Sequence, residues 1–149
     1  METLKEIKDY LRDNVNEGCR CPACNQMVKL YKRKIYTTQA RALILLSRLQ
    51  VKSEWVHVRE IMKRINITGD FAKMSYWGLI EEQRSDLKEK RTSGNWKITE
   101  KGINFVRNKT SIPSHVLIYN GKKIGFSETD INIIEVLGKK FNYYELLNN

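Results

Sequence analysis

Three cysteines fall within six residues of one another, at Cys19, Cys21 and Cys24. Thiolates are strong zinc ligands, and two of them separated by two residues can share one tetrahedral ion while the backbone between them turns sharply. The spacing therefore predicts a structural zinc ion held by Cys19, Cys21 and Cys24. The alternative is that the three thiols stay reduced in a turn, where a cysteine packs as a small apolar group.

The segment from Cys21 to Cys24, Cys-Pro-Ala-Cys, resembles one knuckle of a zinc ribbon. A structural zinc ion takes four ligands, and the chain contains no second pair of cysteines with this spacing. The fourth ligand would have to be His57, His115 or a thiol from a partner chain, so a homodimer is one hypothesis that the cysteines raise.

Cations and aromatic residues alternate just after the cysteines. The cations of this segment are Lys29, Lys32, Arg33 and Lys34, and its aromatic residues are Tyr31 and Tyr36. Such a segment suits phosphate contacts combined with stacking on a base or sugar. The alternative is that both tyrosines pack inward while the cations are merely solvated. We favour binding, because no acidic residue lies nearby in the sequence to pair with these cations.

The charge of the chain is strongly one-sided. The net charge is +10, and residues 18–50 contain seven basic residues and no acidic one. Such a balance suits a polyanionic partner, because each phosphate contact releases condensed counterions. The alternative is a basic surface that only keeps the protein in solution.

The residues indicate no enzyme. The chain has two histidines, no nucleophile elbow and no glycine-rich loop for phosphates, so neither a catalytic set nor a small-molecule substrate is predicted. No apolar run is long enough for a membrane span, and the N-terminus lacks the apolar stretch of a signal peptide. We therefore expect a cytoplasmic protein that makes no membrane contact.

Hydrophobic spacing predicts alternating helices and short strands. A capping box at Thr3 begins the first helix. A second helix, from Thr37 or Thr38 to about Val51, is apolar on most sides, which indicates a central position. A strand at 55–58 and a short helix around Ile61 follow.

A further helix is predicted from Asp70 to Trp77, with Asp70 as its cap. Strands at 80–84 and 96–98 and another helix after Thr99 come next. Asn120-Gly121 predicts a β-hairpin, and the segment 127–130 is expected to cap a last helix.

The order from Thr38 to Asn108 is helix, strand, short helix, turn, helix, hairpin, helix. Its most specific segments, residues 77–82 and 94–102, resemble the "G-L-I-E … W-x-[IL]-T-x-K-G" wing of bacterial and phage winged-helix proteins. The resemblance covers about seventy residues. It implies an α+β protein containing a winged helix-turn-helix, with an N-terminal helix and cysteine knuckle before it and a C-terminal β-hairpin plus helix after it.

Winged-helix proteins usually place the helix before the wing in the DNA major groove and lay the wing along the backbone. Here the resemblance implies a recognition helix from Asp70 to Trp77. Helical geometry directs Lys73 and Tyr76 outward, to the DNA. The core side is expected to carry Phe71, Met74, Ser75 and Gly78. Phosphate contacts are expected from Arg59, Lys63 and Arg64 before the turn and from Lys88, Lys90 and Arg91 in the wing.

The predicted regions are 1–36, 37–110 and 111–149, the last packed on the same body. Five apolar side chains are expected in one winged-helix core: Val58, Ile61, Leu79, Trp96 and Ile98.

Together these features predict a DNA-binding protein of bacterial or phage type, acting in transcription regulation or as an accessory to another DNA transaction. A second hypothesis is a protein-interaction module, for example a phage-encoded inhibitor of a host protein. It follows from the weak charge of the predicted recognition helix, where Lys73 is the one cation and Asp70 would repel a phosphate.

Overall fold

The computed structural model describes residues 3–84 and 93–148, in which helices and short antiparallel strands form an α+β fold. The helices are α1 (Leu4–Asn14), α2 (Thr37–Leu49), α3 (Val58–Met62), α4 (Glu100–Val106), α5 (Ile133–Leu137) and α6 (Tyr143–Asn148), with a 3-10 helix at Ala72–Trp77. The first five strands are β1 (Cys19–Arg20), β2 (Met27–Val28), β3 (Leu30–Lys34), β4 (Val56–His57) and β5 (Ile80–Glu82). The other five are β6 (Asn95–Ile98), β7 (Ile112–Pro113), β8 (His115–Tyr119), β9 (Lys122–Phe126) and β10 (Asp130–Ile131).

The described residues fall into two compact units with boundaries unlike the predicted ones. Unit 1 combines the chain up to Lys34 with His115–Ser127, and unit 2 combines Ile35–Ser114 with the chain from Glu128 onward. The predicted C-terminal region is therefore divided, because its hairpin pairs with β3 while the segments on either side of the hairpin belong to unit 2.

Unit 1 is built on two small sheets and one helix. The strands β1 and β2 pair with each other, and β3, β8 and β9 form a three-stranded antiparallel sheet in that order. Thr3 and Glu6 form the predicted capping box of α1. That helix contributes Leu11 to an apolar cleft that Leu30 and Ile124 also line.

The turn between β8 and β9 confirms the hairpin predicted at Asn120-Gly121. Tyr119 pairs with Lys122 in the antiparallel register. The intervening Asn120 and Gly121 have φ angles of 51° and 75°, as a type I′ turn requires of its two central residues. An Asn-Gly pair adopts this left-handed backbone more readily than other residues do, which explains why so short a signal was sufficient.

Unit 2 is organised around α2, as its apolar sides predicted. The helix buries Ala40, Ala42, Leu43, Ile44 and Leu46. Neither predicted threonine caps it: the N-cap is Tyr36, whose backbone N–H donates to Gln39 Oε1 at 2.8 Å. Of the five predicted core residues, Ile61, Leu79, Trp96 and Ile98 are buried, whereas Val58 is half-buried.

The sheet of unit 2 has the strand order β4-β6-β5. Ile80 pairs with Ile98, and Val56 pairs with Trp96, so both predicted strands around residues 80 and 96 are confirmed. The Thr99 hydroxyl caps α4 by accepting from the Gly102 N–H at 3.0 Å. The helix therefore begins where the sequence predicted.

The segment predicted as a helix from Asp70 to Trp77 is a 3-10 helix at Ala72–Trp77, and Asp70 is not its cap. Its buried residues are Phe71, Met74 and Trp77, a three-residue spacing that matches the 3.0 residues per turn of a 3-10 helix. Phe71 and Met74 point inward as predicted. The prediction was wrong for Ser75 and Gly78, which are exposed, because the 100° spacing of an α-helix does not apply.

The last predicted helix is interrupted. Asn132, rather than the segment 127–130, caps α5 by accepting from the Glu135 N–H at 2.9 Å. Asp130 lies in β10, and Gly138 ends α5 with a φ of 69°. None of the helices within 3–84 and 93–148 is long and apolar enough to cross a membrane.

Candidate functional site

The cysteines lie on a tight hairpin in unit 1, which we call the cysteine hairpin and define as residues 19–28. Its strands pair Cys19 with Val28. The Cys21 N–H donates to the Gln26 carbonyl at 2.8 Å, and the Asn25 N–H donates to the Cys21 carbonyl at 2.8 Å. Asn25 has a φ of 63°, so the chain reverses sharply just after Cys24, as expected of a metal-binding knuckle.

Backbone donors surround the sulfur of Cys21. The N–H groups of Cys24 and Ala23 donate to it, and these hydrogen bonds lower the pKa of the Cys21 thiol. Hydrogen bonds to the charged form favour that form, so the hairpin is suited to a thiolate at Cys21. The sulfur of Cys24 is close enough to interact with that of Cys21.

The structure brings together two of the three predicted metal ligands. Among the described residues no three His, Cys, Asp or Glu side chains are grouped so that they could hold a metal ion. Cys21 and Cys24 could supply two of the four ligands of a tetrahedral site, while Cys19 lies half-buried on β1. Zinc at the cysteines remains a prediction.

Neither histidine joins this pair. His57 belongs to unit 2, where its Nδ1 accepts from the Arg59 N–H at 3.1 Å. His115 lies on β8, where it pairs with Lys34, while Tyr119 at the opposite end of that strand pairs with Leu30. The two ends of β8 are about 13 Å apart at the usual rise of a strand.

The predicted cationic segment forms β3, an edge strand of the three-stranded sheet. Tyr31, Lys32, Arg33 and Lys34 are exposed, and within the part of the chain that the structure describes no carboxylate pairs with these cations. Lys29 Nζ lies 5.2 Å from the centre of the Tyr31 ring. Tyr36 is also exposed, so the alternative in which both tyrosines pack inward is wrong. Charges on an edge strand also prevent pairing with other chains.

The sequence predicted the β8–β9 hairpin, but it assigned none of the hairpin's residues to a candidate site. Tyr119, Asn120 and Gly121 line one cleft together with Lys29 and Tyr31. The signal that could have indicated them is charge: residues 115–127 contain Lys122 and Lys123 and no acidic residue, like residues 18–34. Without the pairing of β3 with β8, nothing linked the two segments.

The predicted recognition residues of unit 2 are less exposed than expected. Lys73 and Tyr76 are half-buried on the 3-10 helix, and Lys73 Nζ pairs with Asp70 Oδ1 at 3.1 Å. Six residues of 3-10 helix extend about 12 Å. This element is therefore short, and its one cation already has a carboxylate partner.

The predicted phosphate contacts before the turn lie on and just after α3. Arg59, Lys63 and Arg64 are exposed. Arg59 Nε donates to His57 Nδ1 at 3.3 Å, and Lys63 Nζ pairs with Glu60 at 3.1 Å. The predicted wing cations Lys88, Lys90 and Arg91 lie outside the described residues.

A second cleft, of about 310 Å³, lies in unit 2. It is lined by Val58, Met62, Phe71 and Trp96, with the ring of Phe71 meeting that of Trp96 edge to face at 5.7 Å. Glu82 also lines it, and within the described chain its Oε2 atom is buried without a hydrogen-bond partner. An unpaired buried carboxylate oxygen is costly, and a cationic group that reached Glu82 would remove this cost.

Comparison with known proteins finds nothing similar to this chain: no family model, no curated protein and no solved structure matches it.

Proposed function

We propose that unit 2 is a winged helix-turn-helix and that the protein binds duplex DNA rather than catalysing a reaction. The observation that carries the fold is the sheet β4-β6-β5. Along the chain, α2, β4, α3 and the 3-10 helix precede β5 and β6, which is the order of a winged helix with β5 and β6 as the two sides of the wing. Fold alone does not fix function, so the DNA proposal depends on charge.

The cations of unit 2 support phosphate contacts better than base contacts. Arg59 on α3 and Arg64 just after this helix are exposed, and the sequence places Lys88, Lys90 and Arg91 between β5 and β6. Lys73 is paired with Asp70 and must exchange this partner before it can contact a base. We therefore infer binding that depends steeply on salt and weakly on DNA sequence.

Duplex binding measured at several salt concentrations tests the proposal. Each lost phosphate contact lowers the slope of log affinity against log salt by about 0.9. The double variant Arg59→Gln/Arg64→Gln should therefore lower it by about 1.8. Lys139→Gln/Lys140→Gln is the matched control, because both lysines are exposed and the charge change is the same. An unchanged slope in the first variant, or no duplex binding at low salt, would contradict the proposal.

Replacing Lys73 tests a separate question, which is whether this side chain contacts a base edge. If this side chain leaves Asp70 to contact a base edge, Lys73→Ala alters the preference among DNA sequences by about 1–3 kcal/mol. If it remains with Asp70, the variant binds all duplexes like the parent. Neither outcome for Lys73→Ala changes the salt slope that we expect of Arg59→Gln/Arg64→Gln.

The cleft that contains Glu82 favours a second candidate function, contact with a protein partner. An apolar cleft with one buried carboxylate oxygen suits a peptide that brings an apolar side chain and a cation. Such an interface would bind with little dependence on salt, whereas DNA binding weakens steeply. Glu82→Gln should weaken the binding of such a peptide and leave the binding of duplex DNA intact.

A further inference from the structure

A cleft of about 310 Å³ lies at one end of the three-stranded sheet of unit 1. It is bordered by the cysteine hairpin through Gln26 and Met27, by the start of β3, and by the turn between β8 and β9. Its volume is at the lower end of the roughly 300–1,000 Å³ typical of small-molecule sites. It suits a group the size of one nucleobase with its sugar.

Two tyrosines with exposed rings line this cleft. Tyr31 is 53% exposed and Tyr119 is 37% exposed. They lie at the same end of the sheet, since β3 begins there and β8 ends there. Exposed aromatic faces are where unpaired bases stack, whatever the base, because every base has a flat π-face.

Polar groups border the same cleft. Gln26 and Asn120 contribute side-chain amides, which can both donate to and accept from the edge of a base. Asn120 occupies the tip of the hairpin with a left-handed φ of 51°, so its position is fixed by the turn. Lys29 Nζ lies over the Tyr31 ring, 5.2 Å from its centre, so its ammonium group can meet the phosphate of a nucleotide whose base stacks on the other face of that ring.

The two segments that border the cleft carry charge of one sign. Residues 18–34 and 115–127 together contain seven basic residues and no acidic one. Lys32, Arg33 and Lys34 continue from the cleft along β3, all exposed. A row of cations that leads to aromatic rings is the usual arrangement for an unpaired strand, whose backbone follows the cations while its bases stack.

We propose that this cleft binds an unpaired nucleotide of a single-stranded nucleic acid, with the base in contact with both Tyr31 and Tyr119 and the adjoining phosphates at Lys29 and β3. The inference extends the proposed nucleic-acid binding, but it depends only on unit 1. Duplex DNA cannot use the site in the same way, because its bases are already stacked and paired.

The test is the affinity of the full-length protein for a dye-labelled oligothymidylate of about fifteen nucleotides, a length within the site sizes of known single-strand binders. We expect Tyr31→Leu and Tyr119→Leu each to weaken binding by about 5- to 100-fold, the usual effect of removing one stacking ring. Lys29→Gln should weaken it less. Tyr10→Leu is the matched control, because Tyr10 is exposed on α1 and does not line the cleft.

An oligouridylate of the same length identifies the nucleic acid. Weaker binding by the tyrosine variants on only one of the two oligomers assigns the site to RNA or to DNA, and either result supports the proposal. It is overturned if the parent binds neither oligomer at low salt, or if Tyr31→Leu binds both as Tyr10→Leu does. Tyr31 is at an exposed strand edge, so its replacement should leave the fold intact.

The arginine variant keeps the two proposals distinguishable. Arg59→Gln/Arg64→Gln changes unit 2 only and should leave oligothymidylate binding unchanged. A parent protein that binds the oligomers but no duplex would contradict the winged-helix proposal alone. The opposite pattern would contradict the cleft alone.

Discussion

The indole Nε1 of Trp77 donates a hydrogen bond to the carbonyl oxygen of Pro113 at 2.8 Å. Trp77 is the last residue of the 3-10 helix and Pro113 belongs to β7, so the bond ties the short helix to a strand far along the chain. Trp77 is only 2% exposed. The sequence could not indicate this partner, because Pro113 lies 36 residues further along the chain.

Trp77→Phe should destabilise the protein by about 2 kcal/mol or more, because it leaves the Pro113 carbonyl without its donor and removes buried ring volume. The measurement is the midpoint of urea denaturation followed by circular dichroism. Trp55→Phe is the control, because Trp55 is less buried and lies against Lys97 near the surface. Equal midpoints for the two variants would contradict the role of the hydrogen bond.

Gly102 lies where α4 approaches the start of β5 most closely. A Cβ atom built at this position would overlap the carbonyl oxygen of Leu79 and approach Ile98 Cγ1. Because the first of these is backbone, it cannot move aside as the end of a side chain would. We expect Gly102→Ala to lose about 1–3 kcal/mol of stability, the usual cost of overpacking.

The control for this prediction is Gly69→Ala, since a Cβ atom at Gly69 meets no atom within 4 Å. That change should be close to neutral in thermal denaturation. If Gly102→Ala is as stable as Gly69→Ala, then α4 does not pack closely against Leu79.

Local sequence patterns were sufficient to predict those elements whose formation depends on residues that are neighbours in the sequence. The apolar spacing of α2, the alternation of Trp96 and Ile98, and the Asn120-Gly121 turn all predicted elements that the structure contains. In each case the physical cause lies within one helix, strand or turn.

Pairing between distant segments could not be predicted. The strand β3 pairs with β8, and no local feature of Lys29–Tyr36 indicates His115–Tyr119 as its neighbour. The cleft of unit 1 is therefore absent from the sequence prediction, although its tyrosines and cations are visible in the sequence. The 3-10 helix was missed for a different reason: a spacing of three also occurs in α-helices, so Phe71 and Met74 fit both geometries.

Tyr143 links α6 to α4, because its hydroxyl donates to the Val106 carbonyl at 2.6 Å. Tyr143→Phe should cost about 1 kcal/mol at neutral pH, the usual net value of such a bond. Tyr144→Phe is the control, because Tyr144 is exposed. The measurement is the free energy of unfolding in urea.

The burial of Tyr143 predicts how stability changes in alkali. Burial, with a smaller contribution from Tyr144, raises the pKa of Tyr143 above its ordinary value. The stabilisation is therefore fully present below the unfolded pKa of about 10 and is lost as pH rises through the higher folded pKa. Relative to the parent, Tyr143→Phe should lose less stability across this range. Parallel curves for parent and variant would contradict the coupling.

The cysteine hairpin gives the last prediction, that zinc copurifies with the protein. Cys21 and Cys24 could supply two of the four ligands of a tetrahedral site, on a turn whose N–H groups favour the thiolate at Cys21. Protein purified without added metal should contain about one zinc ion per chain by elemental analysis. Cys21→Ser and Cys24→Ser should each abolish this zinc, and Cys19→Ser shows whether Cys19 moves in to complete the site. If the purified protein contains well under one zinc ion per chain and a thiol reagent titrates three free cysteines at once, the cysteines are reduced side chains in a turn and the zinc prediction is wrong.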